Sequence, residues 1–173
     1  HRPATLVHPG RRTTWYGDDA QRGRAIALIN ALLGSWGRKG GFYYPSSMEV
    51  PNYPYPPYPA SARGKVDNPD HRYPFASEAI TTGIREATLT GQPYPVKGWL
   101  VYATNLIHAM PNEAETIDAI KQLDLMVVVD VIPSEIAGWA DVVLPETTYL
   151  ERYEELNVEL FREPFVALRQ PVV

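Results

Sequence analysis

A single stretch near the C-terminal end restricts the fold of this chain more than any other. Residues 125–129 read Leu-Met-Val-Val-Val without a polar break, and the run ends on Asp130. Val131-Ile132-Pro133-Ser134-Glu135 follow, and a second apolar run, Val142-Val143-Leu144, closes on Pro145-Glu146-Thr147-Thr148. A run that is apolar at every position, rather than at alternate ones, suits a parallel strand buried on both faces. Ser134 is placed to cap a short helix between the two strands. In open parallel sheets ligands sit outside the carboxyl ends of strands, which is where Asp130 stands.

The segment upstream extends this pattern. Trp99-Leu100-Val101-Tyr102-Ala103 reads as another buried strand. Asn112 and Glu115 have capping-box spacing, in which the Asn accepts from an early amide and the Glu reaches back. Ile117, Ile120 and Leu123 then line one helical face. Strand, helix and strand of these lengths form a βαβ unit, whose crossover is expected to be right-handed. The fold class expected is α/β: a Rossmann-like open parallel sheet with helices on both faces.

Toward the N-terminus, Ala4 to His8 reads as a short strand and Pro9 to Arg12 as a turn leaving it. Asp18 and Asp19 can cap a helix that carries Ile26, Ile29, Leu32 and Leu33 at helical spacing, with Gly34 at its stop. Gly34-Ser35-Trp36-Gly37-Arg38-Lys39-Gly40-Gly41 is glycine-rich, but it follows a helix. A phosphate cradle needs a strand before it and a helix after it. Residues 42–60 are dense in proline and tyrosine, including Tyr53-Pro54-Tyr55-Pro56-Pro57-Tyr58-Pro59. Such a segment forms neither a helix interior nor a central strand. It is either an extended arm anchored by tyrosines on another surface or a long surface loop. A weaker helical pattern runs from Phe75 to Leu89, interrupted by Gly83. We expect one domain over residues 1–173, with 42–74 as an extended loop insertion. His1-Arg2-Pro3 and Gln170-Pro171-Val172-Val173 give both ends the look of a fragment cut from a longer chain.

Composition removes several classes. The 173 residues carry a net charge of −4, with a pI near 5.6, and show no basic stripe, so no nucleic-acid partner is expected. With no cysteine, the chain supplies no disulfide and no thiolate ligand. The four histidines are scattered, and no metal site is expected. No run reaches transmembrane length. There is no GxSxG elbow and no GxGxxG after a strand.

The candidate site residues each have two readings. Asp130 either accepts from ribose hydroxyls or a guanine edge, or organises a turn. Asn105 closes the preceding strand and would face the same crevice; its amide suits phosphate or base, and equally a turn. Asp141 opens its strand from the opposite end and reads as structural, bonding local amides. Arg152 either meets a phosphate or forms a surface ion pair with a neighbour such as Glu155. Arg11 and Arg12 either draw an anion toward a substrate funnel or are plain surface arginines.

Several of these pieces, in order, resemble the large molybdopterin oxidoreductases, the dimethyl sulfoxide reductase family. The segment from Asp130 through Ser134, Ala137, Ala140 and Asp141 to Pro145, with Glu151 beyond, resembles the pattern D-x-x-x-[ST]-x-[ST]-A-x-x-A-D-[IV]-[IV]-L-P followed by Glu. Tyr102-Ala103-Thr104-Asn105 resembles the family's Asn-containing loop, and Ala31 to Gly41 its glycine segment. Residues 11–17 and 157–164 are most similar to the polysulfide and thiosulfate reductase branch.

The resemblance implies a parent enzyme using molybdenum bis(molybdopterin guanine dinucleotide), with a 4Fe-4S cluster ligated outside this chain. The parent would reduce polysulfide or thiosulfate by breaking a sulfur–sulfur bond. This segment would hold the guanosine diphosphate part of one cofactor through Asn105, Val129, Asp130 and Arg152. The family often has Ser at the position of Val129, so only a backbone contact carries over there. Arg replaces the family's Lys at 152 and adds a fork of donors. The family's Gln before the first helix falls out of step and is not carried over, and Leu106 replaces the Pro after the Asn loop. Implied partners are the remaining domains of the same polypeptide, together with iron–sulfur electron-transfer and membrane anchor subunits. The implied location is periplasmic, membrane-associated through partners. Two other functions stay open at this stage: a structural homologue that lost the cofactor, and an unrelated nucleotide-binding domain.

Overall fold

In the computed structural model the described residues are 4–8, 20–51, 54–57, 59, 63–68, 72–75, 80–154, 156–159 and 162–173. Arg11, Arg12, Asp18 and Asp19 lie outside them. The described residues gather into two units, one holding 4–8, 20–59 and 148–173, the other 63–147.

In the first unit, α1 (Ala20–Leu33) forms where the helical period predicts it. The face it buries is different. Leu28, Ile29 and Leu32 are exposed, and the one fully buried residue is Asn30. Its Oδ1 accepts from the Val7 amide at 2.8 Å, and its Nδ2 donates to Val7 O at 2.7 Å and to Ile26 O at 3.1 Å. Ser35 Oγ donates to Thr5 O. Residues 4–8 therefore join no described ladder, because side chains from α1 and its end bond their backbone instead. Gly34, at φ 70°, ends the helix in the left-handed region. The glycine segment then closes on itself: Phe42 N–H donates to Ser35 O and Gly37 N–H to Phe42 O. Trp36 stacks on Phe42 with centroids 4.9 Å apart. Its Gly37 and Gly41 amides are used internally, as a loop that is not a phosphate cradle requires. The described residues from 47 to 75 form no helix or strand.

The second unit holds the sheet. It runs α2 (Thr81–Thr90), β1 (Gly98–Tyr102), α3 (Leu106–Ala109), α4 (Glu113–Ile120), β2 (Leu125–Asp130), a 3-10 helix (Glu135–Trp139) and β3 (Val142–Pro145). The three strands are parallel in the order β1-β2-β3, pairing Tyr102 with Val129 and Val129 with Leu144. The α/β class with an open parallel sheet is as expected.

Trp99 and Val101 of β1 and Met126 and Val128 of β2 point to one face. There they form a core with Ile107, Ala119, Ile120 and Ile136 from the helices. Burying a side chain such as Val128 contributes about 1.5–3 kcal/mol. Trp99 also carries a polar group inward, and Thr88 Oγ1 accepts from its Nε1 at 3.1 Å.

Among the described residues of this unit, the helices pack on this one face of the sheet. The opposite face presents Leu100, 73% exposed, with Tyr102, Leu125, Val142 and Leu144 also exposed. The continuous apolar runs report that both faces are apolar; they do not supply the second cover.

Three local contacts hold the helices and strands in place. Asn112, at φ 62°, caps α4 by accepting from the Glu115 amide. Glu115 does not reach back as a capping box would, because its carboxylate pairs with Arg85 at 2.8 Å. The Arg85 side chain is only 7% exposed and also donates to Pro111 O, Asn112 O and Thr116 Oγ1, tying α2 to α4. Asp141 is structural, as its place before β3 suggests: its Oδ2 accepts from the Met126 amide at 2.7 Å.

The chain ends in the first unit with β4 (Asn157–Glu159) and β5 (Phe165–Ala167), an antiparallel pair. Among the described residues no helix is long and apolar enough to cross a membrane.

Candidate functional site

β1 and β2 lie side by side and run the same way, so their carboxyl ends open on one crevice. It has a volume of about 570 Å³ and is lined by Ala103, Thr104, Asn105, Asp130, Ser134 and Glu135, among others. The turn out of β1 is set by Ala103, at φ 53°, a region unusual for a residue with a Cβ. Its amide donates to Val129 O at 3.0 Å. That bond occupies the Val129 carbonyl, and Val129 itself does not line the crevice.

Asn105 comes next, and both ends of its side chain are engaged. Its Oδ1 accepts from the Ile107 amide at 3.2 Å and starts α3. Its Nδ2 donates to Glu135 Oε2 at 2.7 Å. The turn reading and the site reading thus both describe Asn105, which lies in the crevice while capping a helix.

Asp130 is held as tightly. The Ser134 hydroxyl donates to its Oδ2 at 2.8 Å, and the Val131 amide to its Oδ1 at 2.7 Å. Ser134, expected as a cap, makes no side-chain cap bond on the 3-10 helix. Its hydroxyl is spent on Asp130, which closes the turn from Asp130 to Ser134. The Ser134 hydrogen bond chiefly, with the Val131 and Ile132 amides, holds the Asp130 carboxyl below its ordinary range against a smaller opposing cost of burial.

Glu135 is the lining residue that sequence reasoning missed. Its Oε2 receives the Asn105 amide, and its Oε1 lies 3.6 Å from His108 Nε2, an ion pair when the imidazole is protonated. Its carboxyl is also lowered, first by a hydrogen bond from its own amide and then by the charge of His108. An acid directly after a capping Ser reads as an exposed first-turn residue, so only the fold brings it against Asn105, 30 residues earlier.

The other predicted residues fall elsewhere. Arg152 belongs to the first unit, where its Nε donates to Glu154 Oε1 at 3.0 Å. Glu155, expected as a partner of that kind, lies outside the described residues. Glu151, also in that unit, accepts from both the amide and the hydroxyl of Thr148, at 2.7 and 2.8 Å. Arg11 and Arg12 lie outside the described residues. Among the described residues, no three His, Asp or Glu side chains converge as a metal would need.

The polar groups of the crevice are thus carboxylates, hydroxyls and an amide at the ends of parallel strands, with no Lys or Arg among its described lining residues. Such a set suits the neutral, donor-rich end of a nucleotide better than its phosphates. Over residues 18–166 the chain matches the molybdopterin oxidoreductase family, and it belongs to that family. Among curated relatives, it is similar to the thiosulfate reductase molybdopterin-containing subunit PhsA of Salmonella typhimurium. The identity is 33% over 186 residues, covering 99% of this chain and 24% of that one. It is 24% identical over 213 residues to a sulfite dehydrogenase polypeptide of Allochromatium vinosum, covering 96% of this chain and 22% of the relative. Among solved structures, acetylene hydratase from Pelobacter acetylenicus is similar over 55% of this chain and 13% of its own, with 32% identity and a TM-score of 0.49. The chain spans about a quarter of the length of the first two relatives.

Proposed function

We propose that this chain binds the guanosine end of a molybdopterin guanine dinucleotide in the crevice at the ends of β1 and β2. The observation that carries the reading is the convergence of Asn105 and Asp130 at adjacent parallel strand ends, in a chain of the molybdopterin oxidoreductase family. The crevice chemistry fits: Asp130 and the neighbouring hydroxyls offer hydrogen bonds to sugar or base. Arg152 enters the proposal on charge and resemblance alone, as a guanidinium suited to phosphate oxygens. Val129 enters through its backbone, whose carbonyl accepts the Ala103 amide and keeps a second lone pair. Arg11 and Arg12, as attractors of an anionic substrate, rest on sequence alone.

In this reading residues 1–173 are one dinucleotide-binding domain of an oxidoreductase. Bound molybdenum and pterin supply the redox chemistry, and the protein supplies position and electrostatics. The similarity to a thiosulfate reductase polypeptide supports thiosulfate or polysulfide as the substrate of the complete enzyme. A 4Fe-4S cluster elsewhere in the polypeptide, electron-transfer and membrane-anchor subunits, and a periplasmic location belong to the same proposal.

The test is calorimetric titration of the complete polypeptide, produced without cofactor, with GDP and with ADP. Saturable binding of GDP in preference to ADP is expected, and Asp130→Ala weakens it about tenfold or more. Equal affinity for ADP would point to a general nucleotide pocket, and no binding would remove the reading. Turnover of thiosulfate and polysulfide by the cofactor-loaded enzyme tests the substrate.

A further inference from the structure

Glu135 has a place in the crevice that the sequence did not assign. Asp130 has two hydrogen bonds organising its own turn, from the Val131 amide on one oxygen and the Ser134 hydroxyl on the other. Glu135 lines the same crevice with a side chain 65% exposed. A carboxylate offers about four acceptor positions, and the Asn105 amide occupies one of them. The His108 imidazole stands on the other oxygen at 3.6 Å. Glu135 is therefore open to solvent, yet held by two side chains, the cap of α3 and His108 within it. Among the described lining residues there is no Lys or Arg, a setting that suits neutral hydrogen-bond donors on the ligand.

We propose that Glu135 is a binding residue of this crevice, accepting a pair of hydrogen bonds from the nucleoside end of the ligand. Asn105 then acts as a positioning residue that fixes the Glu135 carboxylate. The inference rests on the proposed guanosine site and adds a specificity element to it. Two donor pairs have the required chemistry, the ribose diol and the guanine N1–H with its 2-amino group, and analogues separate them.

The experiment measures affinities of GDP, 2′,3′-dideoxy-GDP and inosine diphosphate for the complete cofactor-free polypeptide, as wild type and as Glu135→Gln. Because the side chain is exposed and the change is isosteric, the variant keeps the fold, which an unchanged melting curve verifies. For wild type, one of the two analogues is expected to bind at least about tenfold more weakly than GDP. In Glu135→Gln, GDP itself weakens by a similar factor and the difference between GDP and that analogue collapses. A merely structural role would lower all three affinities together and leave their ratios unchanged, which overturns the inference. Equal GDP affinity in wild type and variant also overturns it. If wild type binds no GDP at all, the guanosine reading fails first and this inference falls with it.

Discussion

At the scale of single residues, Asp130 shows how the crevice is set by protonation. Its carboxyl is held below its ordinary value of 3.8, first by the Ser134 hydroxyl. A group whose pKa is depressed on folding contributes stability that is full above the unfolded value and is lost as pH falls through the folded one. The contribution of Asp130 therefore persists at neutral pH and fades below about 3.8. Ser134→Ala removes the largest cause. Carboxyl NMR should then show Asp130 titrating nearer 3.8, and loss of structure in acid, followed by circular dichroism, should begin at higher pH. Residues of this kind were half legible in the sequence. The Asp at the end of an apolar strand announced itself, whereas the role of Ser134 did not. A Ser four residues after an Asp and just before an acid has the signature of a cap, and only the turn geometry turns its hydroxyl back.

At the scale of elements, the βαβ unit was legible because several signals agreed: uninterrupted apolar runs, an Asn at the start of α4, and apolar residues on one side of it. The first helix was legible in position but not in face, since Asn30 hydrogen-bonds a neighbouring backbone and no hydrophobic count weights such a residue. Arg85 escaped for a similar reason. A guanidinium in a helix reads as solvated, and its carbonyl partners lie 26 and 27 residues away.

Gly83 weakened the helical pattern of α2, and the structure explains it. A Cβ there would meet Asp67 O at 2.2 Å, so the helix surface must be bare where that loop crosses. Replacing a helical Gly by Ala usually gains up to about 1 kcal/mol. Gly83→Ala should instead lose about 1–3 kcal/mol, as overpacking does, read as a lowered midpoint in urea denaturation. A neutral or raised midpoint would mean that the Asp67 segment moves aside easily.

At the scale of the whole molecule, the second face of the sheet is the feature with the largest consequence. Leu100, Tyr102, Leu125, Val142 and Leu144 make it apolar and exposed. Contiguous apolar surface of this kind drives association. The isolated 173-residue segment should therefore self-associate as its concentration rises, and Leu100→Lys with Leu144→Lys should shift it toward monomer in sedimentation velocity. Sedimentation unchanged by the double substitution would show that this face takes no part. The sequence could not separate a covered from an uncovered face, because apolar character is a property of residues and cover is a property of whatever packs on them.

The two hydrogen bonds of Asn105 bear on how any mutational survey of this protein would be read. One amide fastens the start of α3 and the approach to the 3-10 helix, so it works as a rivet joining the loops after two neighbouring strands. Truncating it would disturb the crevice from both sides, and binding would fall even if the ligand never touched that side chain. A scan that ranks positions by loss alone would place Asn105 at the top and name it the contact. Only a comparison across ligand analogues separates a residue that touches from one that keeps another in place.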